Sequence, residues 1–272
     1  MNWPNSGRIA VMMAFDLDGE SLWEANHTPI DTLNAPRGSY GPIQGMPRIL
    51  NLLDKHGIPA TFFVPGITAE RYPEVVREIG RCGHEIGYHG YIHETSVHRE
   101  VEHRDMLRAE ELILDLTGQR LVGHRGPDGG LFDYSLPLLL NHGYIYSSNY
   151  RNSDGPYLHR LDGREVPLVE LPKDSIFDDT VYDMYVDRDY QSAAFLRSAR
   201  DFCQVWRDEF DALAEEGRML NFVLHPQFIG RASRLNALSD LIAYMKDNGA
   251  WFATNADTAR HVLRQRGYEV TV

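Results

Sequence analysis

The residues best suited to chemistry cluster in GHEIGYHGYIHE, residues 83–94, where His89 and His93 stand four apart. On one helical turn that spacing puts the two Cβ atoms roughly 6 Å from each other, which suits two imidazole nitrogens on one metal ion. Gly87 and Gly90 flank His89 and permit a tight bend at the end of a short strand expected over 85–88. In a chain with 12 histidines such a pair also arises by chance. The ligand reading therefore needs a carboxylate, a base and an acid from elsewhere.

Asp16 and Asp18 end the apolar run IAVMMAF, residues 9–15. On extended backbone their side chains point the same way, and two such carboxylates repel unless a cation lies between them or one is protonated. A turn held by Asx hydrogen bonds is the competing reading. His225 likewise follows an apolar strand, in HP, where an imidazole can shuttle a proton; a bond to a backbone carbonyl is the bland alternative. Arg125, in HRGP, can orient a carboxylate or tie down its loop, and a backbone N–H near Pro127 is a candidate oxyanion donor. Trp23, Tyr91, Tyr150 and Tyr157 are candidate walls of a substrate pocket. His124 is expected on the other side of its strand from Arg125, and His84 is similarly offset from His89. His27, His56, His98, His103, His142, His159 and His261 are assigned to loops or polar helix faces without a role. Ser148 lacks a His and an acid in hydrolase spacing.

These candidates share one trait: each falls at or beyond the carboxyl end of an expected strand. Strands are read at 9–15, 60–64, 85–88, 121–127, 144–148, 166–171, 219–224 and 250–253. Helices are read at 46–56, 73–82, 99–116 (with Leu107, Leu112, Ile113 and Leu116 inward), 134–141, 193–216, 234–247 and 257–264. Residues 20–45, 149–165 and 174–189 read as loops, the first as a lid or interface arm. Strand and helix alternate, which implies parallel strands with right-handed crossovers. About seven such units fit a barrel better than an open sheet, and no glycine-rich phosphate fingerprint follows the first strand. One domain over 1–272 is expected.

Composition narrows the function. A net charge of −12 argues against a nucleic-acid partner. Two cysteines, Cys82 and Cys203, form no redox or metal spacing. The first twenty residues carry no basic leader and no spanning stretch, so neither secretion nor membrane insertion is expected and the cytoplasm is the default.

With these positions assembled, the chain resembles the polysaccharide deacetylase family (NodB homology domain, carbohydrate esterase family 4-like). It is most similar to the branch with intracellular peptidoglycan-deacetylase-like proteins, allantoinases and cyclic imide hydrolases. The resemblance is carried by FDLDGES (15–21), ATFFVPG (60–66), GHEIGYHGYIHE (83–94), HRGP (124–127), SSNYRNSDGPY (147–157) and NFVLHPQFIGRASRL (221–235). It implies a distorted (β/α)7 barrel and a metal triad of Asp18, His89 and His93. It also implies Asp16 as base, Arg125 as its orienting partner, His225 as general acid and a homo-oligomer, a tetramer or a dimer. Two departures stand out. Asp128-Gly129-Gly130 follows Pro127 where the family has an aromatic, and Tyr146 replaces a branch Asp; both positions are expected to line the pocket. The reading is a hydrolase of a non-peptide amide C–N bond using a divalent metal, zinc first, with cobalt, nickel or manganese also suited. Its substrate is expected to be a small cyclic amide, imide or ureide. The alternatives are an N-acetylated amino-sugar glycan, whether short or polymeric, and a non-catalytic binding protein on the same fold.

Overall fold

A computed structural model describes residues 1–24, 34–94, 98–183 and 198–269. The first apolar run becomes two strands, β1 (Ile9–Met12) and β2 (Ala14–Asp16), and every residue of both is buried. Continuous burial is what central parallel strands require. The break at Met13 sends the halves to different sheets. After β3 (Thr61–Val64), β4 (Glu85–Tyr88), β5 (Gly123–His124), β6 (Tyr146–Ser147), β7 (Tyr157–Leu161) and β8 (Arg164–Glu170) come β9 (Met219–Asn221) and β10 (Ala250–Phe252). One sheet has the order β10-β1-β9 and the other β2-β3-β4-β5-β6-β8-β7.

A parallel bridge between Phe15 and Leu224, with Asp16 N–H donating to Leu224 O at 2.8 Å, joins the two sheets around one interior. Between β8 and β9 the described residues form no ladder; Asn221 Nδ2 instead donates to Leu171 O at 3.1 Å. That seam is the distortion in a (β/α)7 barrel. The helices Met46–His56, Pro73–Arg81, Arg99–Thr117, Ala199–Glu216 and Ala232–Asp247 bury Ile49 and Leu53, Val76 and Ile79, Ile113, Trp206 and Phe210, and Leu238 and Ile242 in the main core. Each such side chain contributes about 1.5–3 kcal/mol of burial. Among the described residues, no helix is long and apolar enough to cross a membrane.

Four expectations need correction. Within 20–45, Ser21–Glu24 and Asn34–Tyr40 are helical, and a π-helical turn, Gly41–Gly45, runs directly into Met46; residues 25–33 lie outside the described set. Gly45 is there for close approach, since a Cβ on it would stand 2.3 Å from Pro226 O. Residues 157–165 are an antiparallel hairpin, β7–β8, turned by Asp162-Gly163 with φ of 50° and 77°, the two-residue geometry that matches strand twist. The acidic stretch contains a 3-10 turn, Ser175–Phe177, and a short helix, Thr180–Asp183; residues 184–197 lie outside the described set, and with them the expected start of the 193–216 helix. Leu107 is 48% exposed; the inner face of Arg99–Thr117 is set by Met106, Ala109 and Ile113.

Candidate active site

Asp18 lies two residues beyond β2, and His89 directly follows β4, the neighbour but one in the same sheet. Asp18 Oδ1 stands 3.3 Å from His89 Nε2 and 3.8 Å from His93 Nε2. One ligand atom from each of the three lies within 4.8 Å of the others. Residues 91–94 form bends rather than the helical turn first expected, yet the two imidazoles still converge, with ring centroids 5.2 Å apart. His89 Nδ1 donates to Arg125 O at 2.6 Å, which leaves Nε2 as the ring nitrogen that faces Asp18. The loop is pinned through Asp18 O, which accepts from Ser21 Oγ at 2.6 Å and Thr68 Oγ1 at 2.7 Å.

Both Asp18 carboxylate oxygens and His89 Nε2 are buried without a hydrogen-bond partner among the described residues. Orphaned acceptors cost free energy in a protein interior, and their arrangement around a common point fits a divalent cation. Burial raises the Asp18 pKa, but the charges of His93 and His225 and the close approach of the His89 imidazole outweigh it and hold the carboxyl below its usual range.

Asp16 shares this centre: its Oδ2 is 3.8 Å from His89 Nε2. Arg125 Nη1 donates to Asp16 Oδ1 at 2.7 Å. The guanidinium is fully buried, and its other N–H groups reach Ser148 Oγ, Asn221 Oδ1 and Phe222 O. It stacks 4.2 Å above the Phe63 ring, whose place depends on Gly87, since a Cβ there would meet Phe63 Cδ1 at 2.6 Å. Burial pushes Asp16 up, and the Arg125 guanidinium, reinforced by His89 and Lys173, holds it well below the ordinary carboxylate range. Ser148 is thus an acceptor for Arg125.

His225 closes the third side, with Nε2 3.6 Å from Asp18 Oδ2 and Nδ1 2.6 Å from Asp179 Oδ1. Burial alone would lower its pKa; Asp179, with Asp18 and Asp178, raises it to about 10. Asp179 is a functional candidate that the sequence reading missed, because it lies in an acidic stretch with no spacing relation to His225. Lys173, 7% exposed, was also missed.

The aromatic candidates divide. Trp23 stands edge-on to Phe228 at 6.5 Å, and Phe228 is 6.0 Å from the His225 ring, so Trp23 lies on the His225 side of the centre. Pro127 packs over Gly90, where a Cβ would be 3.4 Å from Pro127 Cγ. Tyr91 instead fills the space beside Gly66 and carries Arg108 over its ring at 4.1 Å. Tyr150 and Tyr157 each lie 5.9 Å from His159. His159 is not in a loop: it is buried on β7, with Nε2 2.6 Å from Ser147 Oγ and 3.0 Å from Glu170 Oε2. Glu170 Oε1 also accepts the N–H groups of Asn149 and Tyr150, and Asn149 Oδ1 accepts from Gly126 N at 2.7 Å. These bonds brace the loop that carries Arg125. Tyr146 does not line the pocket. It is fully buried, donates to Glu85 Oε1 at 2.7 Å and stands edge-on to Phe63.

The polysaccharide deacetylase family model matches residues 39–147. A Helicobacter pylori protein named peptidoglycan deacetylase is 28% identical over 94% of this chain and 97% of its own. The crystal structure of PuuE allantoinase superposes with a TM-score of 0.82 at 26% identity, over 98% of this chain and 94% of that one. A Mycobacterium smegmatis protein assigned as a polysaccharide deacetylase superposes with a TM-score of 0.89 at 32% identity, over 100% of this chain and 96% of that one. That end-to-end likeness in sequence and backbone settles the kinship: the chain belongs to the polysaccharide deacetylase family, hydrolases that act on carbon–nitrogen bonds other than peptide bonds.

Proposed function

We propose that the chain removes an N-acetyl group from an amino-sugar glycan, with Asp18, His89 and His93 holding a divalent ion and Asp16 and His225 moving the protons. The observation that carries this reading is the common point shared by Asp18, His89 and His93, with a separately anchored carboxylate, Asp16, 3.8 Å from His89 Nε2. A divalent ion held there supplies a Lewis acid for the acyl oxygen and acidifies the attacking water. Zinc is the first candidate for a His₂-carboxylate set, and cobalt, nickel and manganese also suit it. Asp16, kept ionised and oriented by Arg125, accepts the proton of the water. His225, kept protonated by Asp179, delivers a proton from Nε2 to the leaving nitrogen, a step that contributes roughly 10²–10⁴-fold. The substrate class follows the Helicobacter pylori relative, whose name is a peptidoglycan deacetylase, rather than the small ring first expected.

The PuuE allantoinase likeness favours a second reading, in which the same groups open a cyclic amide or ureide. The test is acetate release from N-acetylglucosamine oligomers beside ring opening of allantoin, hydantoin, succinimide and dihydrouracil, with zinc-loaded and chelator-treated protein. Acetate release lost on chelation supports the first reading; ring opening alone transfers the mechanism to the second. A homo-oligomer is part of the proposal, and light scattering after gel filtration measures it.

A further inference from the structure

Lys173 is 7% exposed, yet among the described residues its ammonium makes no hydrogen bond and no ion pair. Its backbone is fixed, with the N–H donating to Tyr150 O at 3.0 Å. Its stem runs past Gly129, where a Cβ would lie 3.7 Å from Lys173 Cε. The charges that bear on it include those of the reaction centre: Asp16 and Asp178 attract it, while Arg125 and the exposed Arg151 repel it. The nearby anions are already engaged. Asp16 is bonded to Arg125 at 2.7 Å, and Asp178 Oδ1 accepts the Thr180 N–H at 2.9 Å. Lys173 is left as a cation that feels these carboxylates without being bonded to either.

Holding a largely buried ammonium without a bonded counter-charge costs free energy, and a methionine would fill the same space without that cost. Packing does not explain the lysine; a ligand that brings the missing anion does. We infer that Lys173 is a specificity-determining residue that pairs with a carboxylate carried by the amide substrate. The inference deepens the hydrolase reading and rests on it for the word substrate. Burial, with Arg125 adding to it, moves the Lys173 pKa down to about 8, so the group is mainly charged at neutral pH. The overall charge of −12 repels anions at long range, but beyond a Debye length of about 8–10 Å salt screens that field. Short-range pairing decides.

Two sources of the carboxylate share this chemistry: an acidic N-acetyl sugar and a small ring acid. Calorimetry on the zinc-loaded protein with N-acetylmuramic acid against N-acetylglucosamine, and with dihydroorotate against dihydrouracil, tells them apart. The expected result is tighter binding of the acidic member of one pair by about tenfold to a hundredfold, the range of a charge-assisted hydrogen bond. Lys173→Met removes that preference and leaves the neutral member's Kd unchanged, while Lys173→Arg retains part of it. The Met variant melts at or above the wild-type temperature, which separates lost recognition from lost folding. Equal binding within both pairs, no measurable binding of either acid, or a preference that survives Lys173→Met overturns the inference. A Lys173-dependent preference without hydrolysis of any amide keeps the anion site and removes the hydrolase reading. Hydrolysis without preference does the reverse.

Discussion

Asp179 holds His225 through both of its carboxylate oxygens: Oδ1 is 2.6 Å from Nδ1, and Oδ2 accepts the His225 N–H at 2.9 Å and the Ile229 N–H at 3.2 Å. Ring, backbone and the following turn are therefore oriented by one buried carboxylate, leaving Nε2 free to face the centre. Asp179→Asn keeps the shape but removes the charge that keeps the imidazolium protonated. The expected outcome is a loss of kcat of about 10²–10⁴-fold, the range for a general acid, with KM and bound metal little changed. Steady-state kinetics with elemental analysis of the same preparation checks it. An unchanged kcat would remove His225 from the proton-donor role.

The metal set and the base make separable predictions. His89→Ala, His93→Ala and Asp18→Asn each remove a donor from a three-residue set. All three are expected to lose both stoichiometric zinc and turnover. Asp16→Asn should keep the zinc and lose turnover, because Asp16 Oδ1 is committed to Arg125. Mass spectrometry of metals after dialysis, followed by readdition of zinc, reads both halves. If Asp16→Asn were the variant that loses its metal, the two carboxylates would have to exchange roles.

How much of this was legible depends on the range of the signal. Asp16 and Asp18 share a direction because alternation is local to two residues, and the helices Met46–His56 and Arg99–Thr117 stop at Gly57 and Gly118 as read. The convergence of His89 and His93 was also legible, although the backbone reaches it through Gly90 at φ 75° and a run of bends. The hairpin at Asp162-Gly163 carried a local signal that was read as loop. Asp179, Lys173 and Asn221 gave no local signal at all. The partners of Asp179 and Asn221 lie across the seam between β8 and β9, and only the fold brings them together.

Arg125 is the group whose loss should cost most stability within the site. It is fully buried and touches Asp16, Ser148, Asn221 and Phe222 O. Arg125→Met leaves Asp16 buried without its ion pair, and breaking a buried pair in this way costs about 3–5 kcal/mol. Arg125→Lys keeps one charge but cannot reproduce the planar fork, so a smaller loss with impaired turnover is expected. Urea titrations of the three proteins test the order wild type, Lys, Met.

His124 predicts how stability changes with pH. It is buried, and that burial, with the charges of His89 and Lys173 adding to it, pushes its pKa down to about 3. Asn149 Nδ2 donates to His124 Nδ1 at 3.2 Å, a bond that protonation of that nitrogen abolishes. The unfolded imidazole titrates near 6.5. Above that value both states are neutral and the contribution is fully present. As pH falls below it, the unfolded chain binds a proton that the folded chain refuses, and stability declines by about 1.4 kcal/mol per pH unit until the folded pKa is reached. Between pH 7 and pH 5 this amounts to about 2 kcal/mol, in a window where most carboxylates are still ionised. His124→Gln should flatten the decline in the urea midpoint across that window by the same amount, whatever it costs at pH 7. Parallel declines in wild type and variant would mean that the folded protein accepts the proton at this position.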